Sequence, residues 1–158
     1  MAIPPGVSAA DWTNAQKQFR DVVGSQWVFT SDEDVVLYRD AYSPFWGEPE
    51  ERLVSAAVAP DNAEHVSQIV KIANRYRIPL FAISTGKNLG YGGSAGNVSG
   101  TVIVDLKRMN RVIEVDDERY FAIVEPGVAY FDPTQPFDVR DAEPSGRDQS
   151  HGGAARSR

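Results

Sequence analysis

Residues 54–83 limit what this chain can fold into more than any other stretch, because they read as a strand, a helix and a second strand in close succession. Val54-Ser55-Ala56-Ala57-Val58-Ala59 is a short run of small and β-branched residues that ends at Pro60. Asp61-Asn62-Ala63-Glu64 then matches a capping box, with an acceptor at the cap and a glutamate three residues on. Val66, Ile69, Val70, Ala73 and Tyr76 fall on one apolar helical stripe, and Pro79 closes it before the buried-strand candidate Leu80-Phe81-Ala82-Ile83. A βαβ unit of this kind predicts parallel strands joined by a right-handed crossover.

The flanking segments are simpler. Ser8 is a candidate N-cap for a first helix in which Trp12, Ala15, Phe19, Val22 and Val23 recur at helical spacing, with Gly24 as its stop. A short apolar piece, Trp27-Val28-Phe29, precedes a shorter helix opened by Ser31 and the acidic run Asp32-Glu33-Asp34, since carboxylates favour the positive end of a helix dipole. Residues 41–52, with Pro44, Gly47 and Pro49, read as loop. Beyond a glycine-rich stretch at 86–100 come the apolar run Thr101-Val102-Ile103-Val104 and then two further runs, 111–115 and 120–124. The turn residues at 116–119 predict that these two pair as a hairpin. From Pro133 to Arg158 the chain is almost wholly Pro, Asp, Arg, Ser, Gly, Gln, Glu and Ala, a composition that cannot bury enough apolar surface to offset its ordering entropy. Three segments are therefore expected: 1–53 as an N-terminal helical segment, 54–132 as a partial ligand-binding domain, and 133–158 as a disordered tail.

Composition excludes several functions. Arg140, Arg147, Arg156 and Arg158 balance Asp138, Asp141, Glu143 and Asp148, so the net charge of −6 belongs to residues 1–132 and argues against a surface that grips nucleic acid or anionic membrane. With no cysteine there is no disulfide, thiolate metal site or cysteine nucleophile. Two histidines, His65 and His151, are too few for a zinc cluster; the first reads as a surface residue of the capped helix and the second falls in the tail. Neither a secretory leader nor an apolar run of membrane-spanning length is visible, so the chain reads as soluble and cytoplasmic.

The chemistry lies in Ser84-Thr85-Gly86-Lys87-Asn88-Leu89-Gly90-Tyr91-Gly92-Gly93-Ser94, which follows a buried strand directly. Glycines let successive backbone N–H groups converge on an anion, Ser84, Thr85 and Ser94 add hydroxyls, and Lys87 adds the one nearby positive charge. Those features suit a pyrophosphate held by an otherwise acidic protein; a flexible connection is the alternative reading of the same pattern. A P-loop is excluded because Lys87 sits at the wrong spacing, and a Rossmann fingerprint because this loop runs toward another strand instead of opening a helix.

Residues 54–127 resemble the FAD-binding domain of the vanillyl-alcohol oxidase and 4-cresol dehydrogenase flavoproteins, the 4-phenol oxidases. The resemblance is carried by 54–60, by the helix with Val66 and Ile69-Val70, by Ile83 to Asn88 with Gly90-Tyr91-Gly92-Gly93-Ser94-Ala95, by 99–105, by Met109-Asn110-Arg111 and by Val124-Glu125-Pro126-Gly127-Val128. It implies an α+β fold: the N-terminal half of an FAD-binding PCMH-type domain, a βαβ unit plus a short mixed sheet, truncated. It also implies FAD as cofactor, with the pyrophosphate cradled by Ser84, Thr85, Gly86, Lys87, Asn88, Leu89 and Gly90, with Gly92 and Gly93 in the same loop. Pro126 and Gly127 would lie near the adenine end. Tyr91 would point into the substrate cavity and help stabilise the phenolate of a para-substituted phenol; an aromatic lid packed on the loop is its alternative.

Members of that family are several times longer, and nothing from Pro133 onward resembles their continuation. An abrupt change to an Arg/Pro/Gly/Ala/Ser-rich tail is what a shifted reading frame in GC-rich DNA produces; a short protein with a disordered tail is the alternative. The expected function is hydride transfer from the benzylic carbon of a para-substituted phenol to FAD in the intact protein, with this chain inactive by itself. A non-catalytic dinucleotide-binding module and a non-functional remnant are the rival readings.

Overall fold

In the computed structural model, residues 2–40, 43–86, 94, 96–116 and 118–129 are described. Helix α1 (Ala9–Val23) begins where the Ser8 side chain accepts the Asp11 amide and ends where the Gly24 amide bonds the Arg20 carbonyl. Strand β1 (Val28–Phe29) follows, and then the single turn α2 (Asp32–Val35), capped by Ser31 through the Asp34 amide. Strand β2 (Val54–Val58), helix α3 (Ala63–Tyr76) and strand β3 (Leu80–Ile83) form the strand–helix–strand unit. Strand β4 (Thr101–Asp105) and a hairpin of β5 (Val112–Asp116) with β6 (Phe121–Val124) complete the described elements.

The four-stranded sheet has the order β1-β2-β4-β3, with β1 antiparallel at one edge and β2, β4 and β3 mutually parallel. The two strands of the βαβ unit are thus parallel but not neighbours, because β4 inserts between them and pairs with both. That central place explains its sequence. All five positions of β4, like those of β2, are buried, as expected for parallel strands covered on both faces.

On one face, Ala56, Val58, Val102 and Val104 meet Trp12, Ala15, Phe19 and Val23 of α1 and Ile69, Ile72 and Ala73 of α3. On the other, Ala57, Ile103 and Ile83 pack with Val54 and Tyr38. A register irregularity between Val54 and Ala56 lets Val54 join the face opposite to that of Ala56. The first fifty residues therefore cover both faces of the sheet, α1 on one and Tyr38 on the other.

Three local expectations shift. The α3 cap is Asn62, which accepts the His65 amide at 2.8 Å, one residue beyond the acceptor the capping-box spacing suggested. Asp61 is instead taken by Arg108 at 3.0 Å, and Glu64 accepts from Gln68 on the outer surface. The buried stripe of α3 runs through Ile72, while Val70 is 41% exposed, because α1 packs on the Ile72 side. His65, expected at the surface, is half-buried, with Nδ1 2.9 Å from Asp61 Oδ1. The expected hairpin forms with Val112 opposite Val124 and Asp116 opposite Phe121. Residues 133–158 lie outside the described residues. Among the described residues no helix is long and apolar enough to cross a membrane.

Phe19 has no exposed surface and sits where α1 meets α3 and the sheet. Phe19→Ala is expected to lower unfolding free energy by about 3–5 kcal/mol in a urea titration. A loss below ~1 kcal/mol would show that α1 is not part of the core.

Candidate functional site

The C-terminal ends of parallel strands are where open α/β sheets present ligand-binding loops. Here β3 delivers Ser84, Thr85 and Gly86 to that edge, directly after the buried Ile83. Gly86 adopts φ +71°, and a Cβ there would sit 2.5 Å from the Ser94 hydroxyl, so the returning end of the loop occupies the space a side chain would need. Gly86 is therefore required twice, once for its dihedral and once for this close approach.

Across the same edge comes the turn after β6. The Ser84 hydroxyl donates to the Pro126 carbonyl, a contact spanning 42 positions of sequence. The structure thus brings together Ser84, Thr85 and Gly86 with Pro126 and Gly127, two groups that the sequence places far apart. The Ser84 hydroxyl is thus bonded to the turn, and its backbone amide is the group the sequence reading directs at a phosphate. Lys87, Asn88, Leu89, Gly90, Tyr91, Gly92 and Gly93 lie outside the described residues.

The turn itself is held from beneath. The Gly127 amide donates to the Met109 carbonyl at 2.7 Å, and a Cβ on Gly127 would run into the Leu106 carbonyl and come within 2.8 Å of that of Met109. Only a glycine can pack so closely on the 3-10 turn Leu106–Arg108 that follows β4. Glu125, 7% exposed, accepts from the Arg111 amide at 2.9 Å, from Arg111 Nε at 3.0 Å and from Nη2 at 2.5 Å. The guanidinium and amide of Arg111 hold the Glu125 carboxyl below the usual carboxylate range.

The 3-10 turn is in turn anchored by Asp105, 4% exposed, at the end of β4. One Asp105 oxygen accepts the Lys107 amide at 3.1 Å; the other accepts the Tyr38 hydroxyl at 2.8 Å and lies 2.9 Å from Lys107 Nζ. Burial and the adjacent Asp105 carboxylate push the Tyr38 phenol far above its ordinary pKa, so Tyr38 remains a proton donor. Arg108 stacks 4.0 Å from the Trp27 ring centroid and donates to the Ala59 carbonyl at 2.8 Å, tying the same turn to the end of β2.

Sequence reasoning gave no role to Tyr38 or Lys107, and it quoted Asp105 only as the end of the matching run 99–105. It quoted Arg111 and Glu125 without pairing them, although the hairpin register carries that signal: with Val112 opposite Val124, residues 111 and 125 fall next to each other across the strands. Tyr38 and Asp105 are 67 positions apart and leave no local pattern. A second charged knot closes the loop before β2, where Arg39 is clamped by both oxygens of Glu51 and stacks 3.9 Å from the Trp46 centroid. The Gly47 amide adds a 2.7 Å bond to Glu51, whose carboxyl is held low chiefly by Arg39. Among the described residues no cluster of His, Asp and Glu could hold a metal ion.

A largely parallel sheet whose C-terminal edge carries the start of a glycine-rich loop, Ser84 to Gly86, beside a second, glycine-anchored turn is an arrangement suited to an anionic ligand. Residues 54–135 match the model of the FAD binding domain family, and the chain belongs to that family. Over 128 residues it is 39% identical to the flavoprotein subunit of 4-cresol dehydrogenase (hydroxylating) of Pseudomonas putida, covering 81% of this chain and 24% of that protein. It superimposes on p-cresol methylhydroxylase with substrate bound at a TM-score of 0.77 and 38% identity, covering 82% of this chain and 25% of that one. Its similarity to 4-ethylphenol oxidase of Gulosibacter chungangensis in an isoeugenol complex reaches a TM-score of 0.74 and 43% identity, over 80% of this chain and 24% of that one. The chain spans about a quarter of the length of these relatives.

The fold is of the PCMH type and the cofactor is FAD. The residues present fit it. The Ser94 hydroxyl lies against the left-handed bend at Gly86, and with the hydroxyl of Thr85 it suits an anion that the chain's acidic charge would otherwise repel.

Two outcomes are expected. Gly127→Ala should cost on the order of 2 kcal/mol in chemical unfolding, since the methyl must displace backbone; an unchanged midpoint would refute the close packing. Glu51 and Glu125 have folded pKa values below the ordinary range, so the stability they add is present above that range and is lost as pH falls through the depressed values. Melting temperature should therefore hold steady from about pH 7 to 5 and drop below about pH 4, and Glu51→Gln with Glu125→Gln should flatten that drop.

Proposed function

We propose that this chain is the FAD-binding front part of an oxidoreductase that oxidises para-substituted phenols. The observation that carries the reading is the meeting of Ser84, Thr85 and Gly86 with the Pro126–Gly127 turn at the C-terminal edge of the sheet. It is supported by the similarity to a 4-cresol dehydrogenase subunit and a 4-ethylphenol oxidase. In this reading residues 84–90, with Gly92 and Gly93, cradle the pyrophosphate mainly through backbone N–H groups, and Pro126 and Gly127 line the adenine end. When bound, FAD supplies the two-electron redox chemistry, and the protein supplies binding, orientation and electrostatics. Tyr91 would donate a hydrogen bond to the bound phenolate, and the electron-rich ring so held would favour loss of hydride from the benzylic carbon to bound FAD, leaving a neutral quinone methide. Held away from water, such a donor contributes most. The chain alone retains FAD without turnover.

The test has two parts. The purified chain should quench flavin fluorescence on titration with FAD, Gly90→Val should abolish that binding, and 4-cresol added anaerobically should leave the flavin absorbance unbleached. Grafted in place of the matching quarter of the 4-cresol dehydrogenase flavoprotein, residues 1–129 should support phenol oxidation, with Tyr91→Phe lowering kcat/KM by about ten- to a hundred-fold. A chain that takes up no FAD would sink the reading. A chimera that binds FAD and oxidises no phenol would reduce it to a dinucleotide-binding module.

A further inference from the structure

We infer that Arg111 and Glu125 are positioning residues for the cofactor loop, acting through the Pro126 carbonyl and the Ser84 hydroxyl; this rests on the FAD reading of that loop. The short turn after β6 is heavily tied down. Glu125 receives three donors from Arg111, and its own amide returns a 2.9 Å bond to the Arg111 carbonyl. Val128 closes the turn on the Glu125 carbonyl at 3.1 Å, and Gly127 is pinned to Met109.

The opposite end of the same hairpin provides the contrast. There Asp116 accepts two backbone amides, and Arg119 stands 3.6 Å away with a side chain 79% exposed. Closing a hairpin needs no more than that. An exposed ion pair contributes little, but the Glu125 carboxylate is buried and Arg111 supplies its amide as well as its guanidinium. Charge-assisted bonds of this kind fix geometry strongly.

What the pinned turn presents toward the loop is the Pro126 carbonyl, and among the described residues its side-chain partner is Ser84, the first residue after β3. Position therefore passes from the ion pair to the carbonyl, from the carbonyl to Ser84, and from Ser84 to the left-handed bend at Gly86. Neither Arg111 nor Glu125 needs to touch the cofactor.

The full chain tests this by FAD titration, with far-UV circular dichroism as the fold control. Glu125→Gln and Ser84→Ala should each raise the Kd for FAD by about ten-fold, Ser84→Thr should restore it, and the double variant should bind no worse than the weaker single, since both act through one carbonyl. Unchanged affinity in folded variants, or losses that add in the double variant, would overturn the inference. Should Glu125→Gln fail to fold, Ser84→Ala and its threonine rescue decide the matter: restored affinity supports the inference, and no loss in Ser84→Ala overturns it. If the unsubstituted chain takes up no FAD, the flavin reading fails and this inference falls with it. Binding by that chain with equal binding by the variants defeats the positioning role alone.

Discussion

The buried carboxylate of Asp105 is the point through which the described structure is joined. It ends the central strand, caps the 3-10 turn after it, accepts the phenol of Tyr38 from the N-terminal segment and holds the ammonium of Lys107. A carboxylate removed from water is costly unless its lone pairs are filled, and here three donors fill them. The 3-10 turn it anchors is the floor on which Gly127 packs, and the turn above that floor holds Ser84. Ser84, where the glycine-rich loop begins, is thus linked through that turn to the buried charge of Asp105.

An acidic protein that binds an acidic dinucleotide must rely on short-range donors rather than on its overall field. The folded chain is consistent with that demand. Among the described residues four cations pair with the chain's own carboxylates: Arg39 with Glu51, Arg108 with Asp61, Arg111 with Glu125 and Lys107 with Asp105. These pairs lie in the loops and turns that flank the strands, so they shape the edge at which the glycine-rich loop begins.

The N-terminal segment is integral to this arrangement. α1 packs on α3 over one face of the sheet, β1 pairs with β2, and Tyr38 fills the other face while bonding Asp105. Rigid strands covered on both faces make a firm base for loops that must stay open to a ligand. The β5–β6 hairpin differs: Ile113 is 60% and Tyr120 is 92% exposed, and its definite anchorage is at the Arg111–Glu125 end.

Local order was legible in the sequence because periodicity follows from backbone geometry. The stripe in α1, its Ser8 cap and Gly24 stop, the strand–helix–strand unit and the hairpin all came from spacing that neighbouring residues enforce on one another. The glycine-rich run after β3 suggested a place for an anion, with a flexible connection as the other reading of the same pattern. What tertiary structure decided is whatever joins residues remote in sequence. β4 enters between β2 and β3, Asn62 caps α3 while Asp61 pairs with Arg108, and Ile72 is buried because α1 arrives on its side. Ser84 gives its hydroxyl to Pro126 and Tyr38 to Asp105 across 42 and 67 positions. No local pattern encodes such contacts; they exist only once the sheet has brought their elements to the same edge.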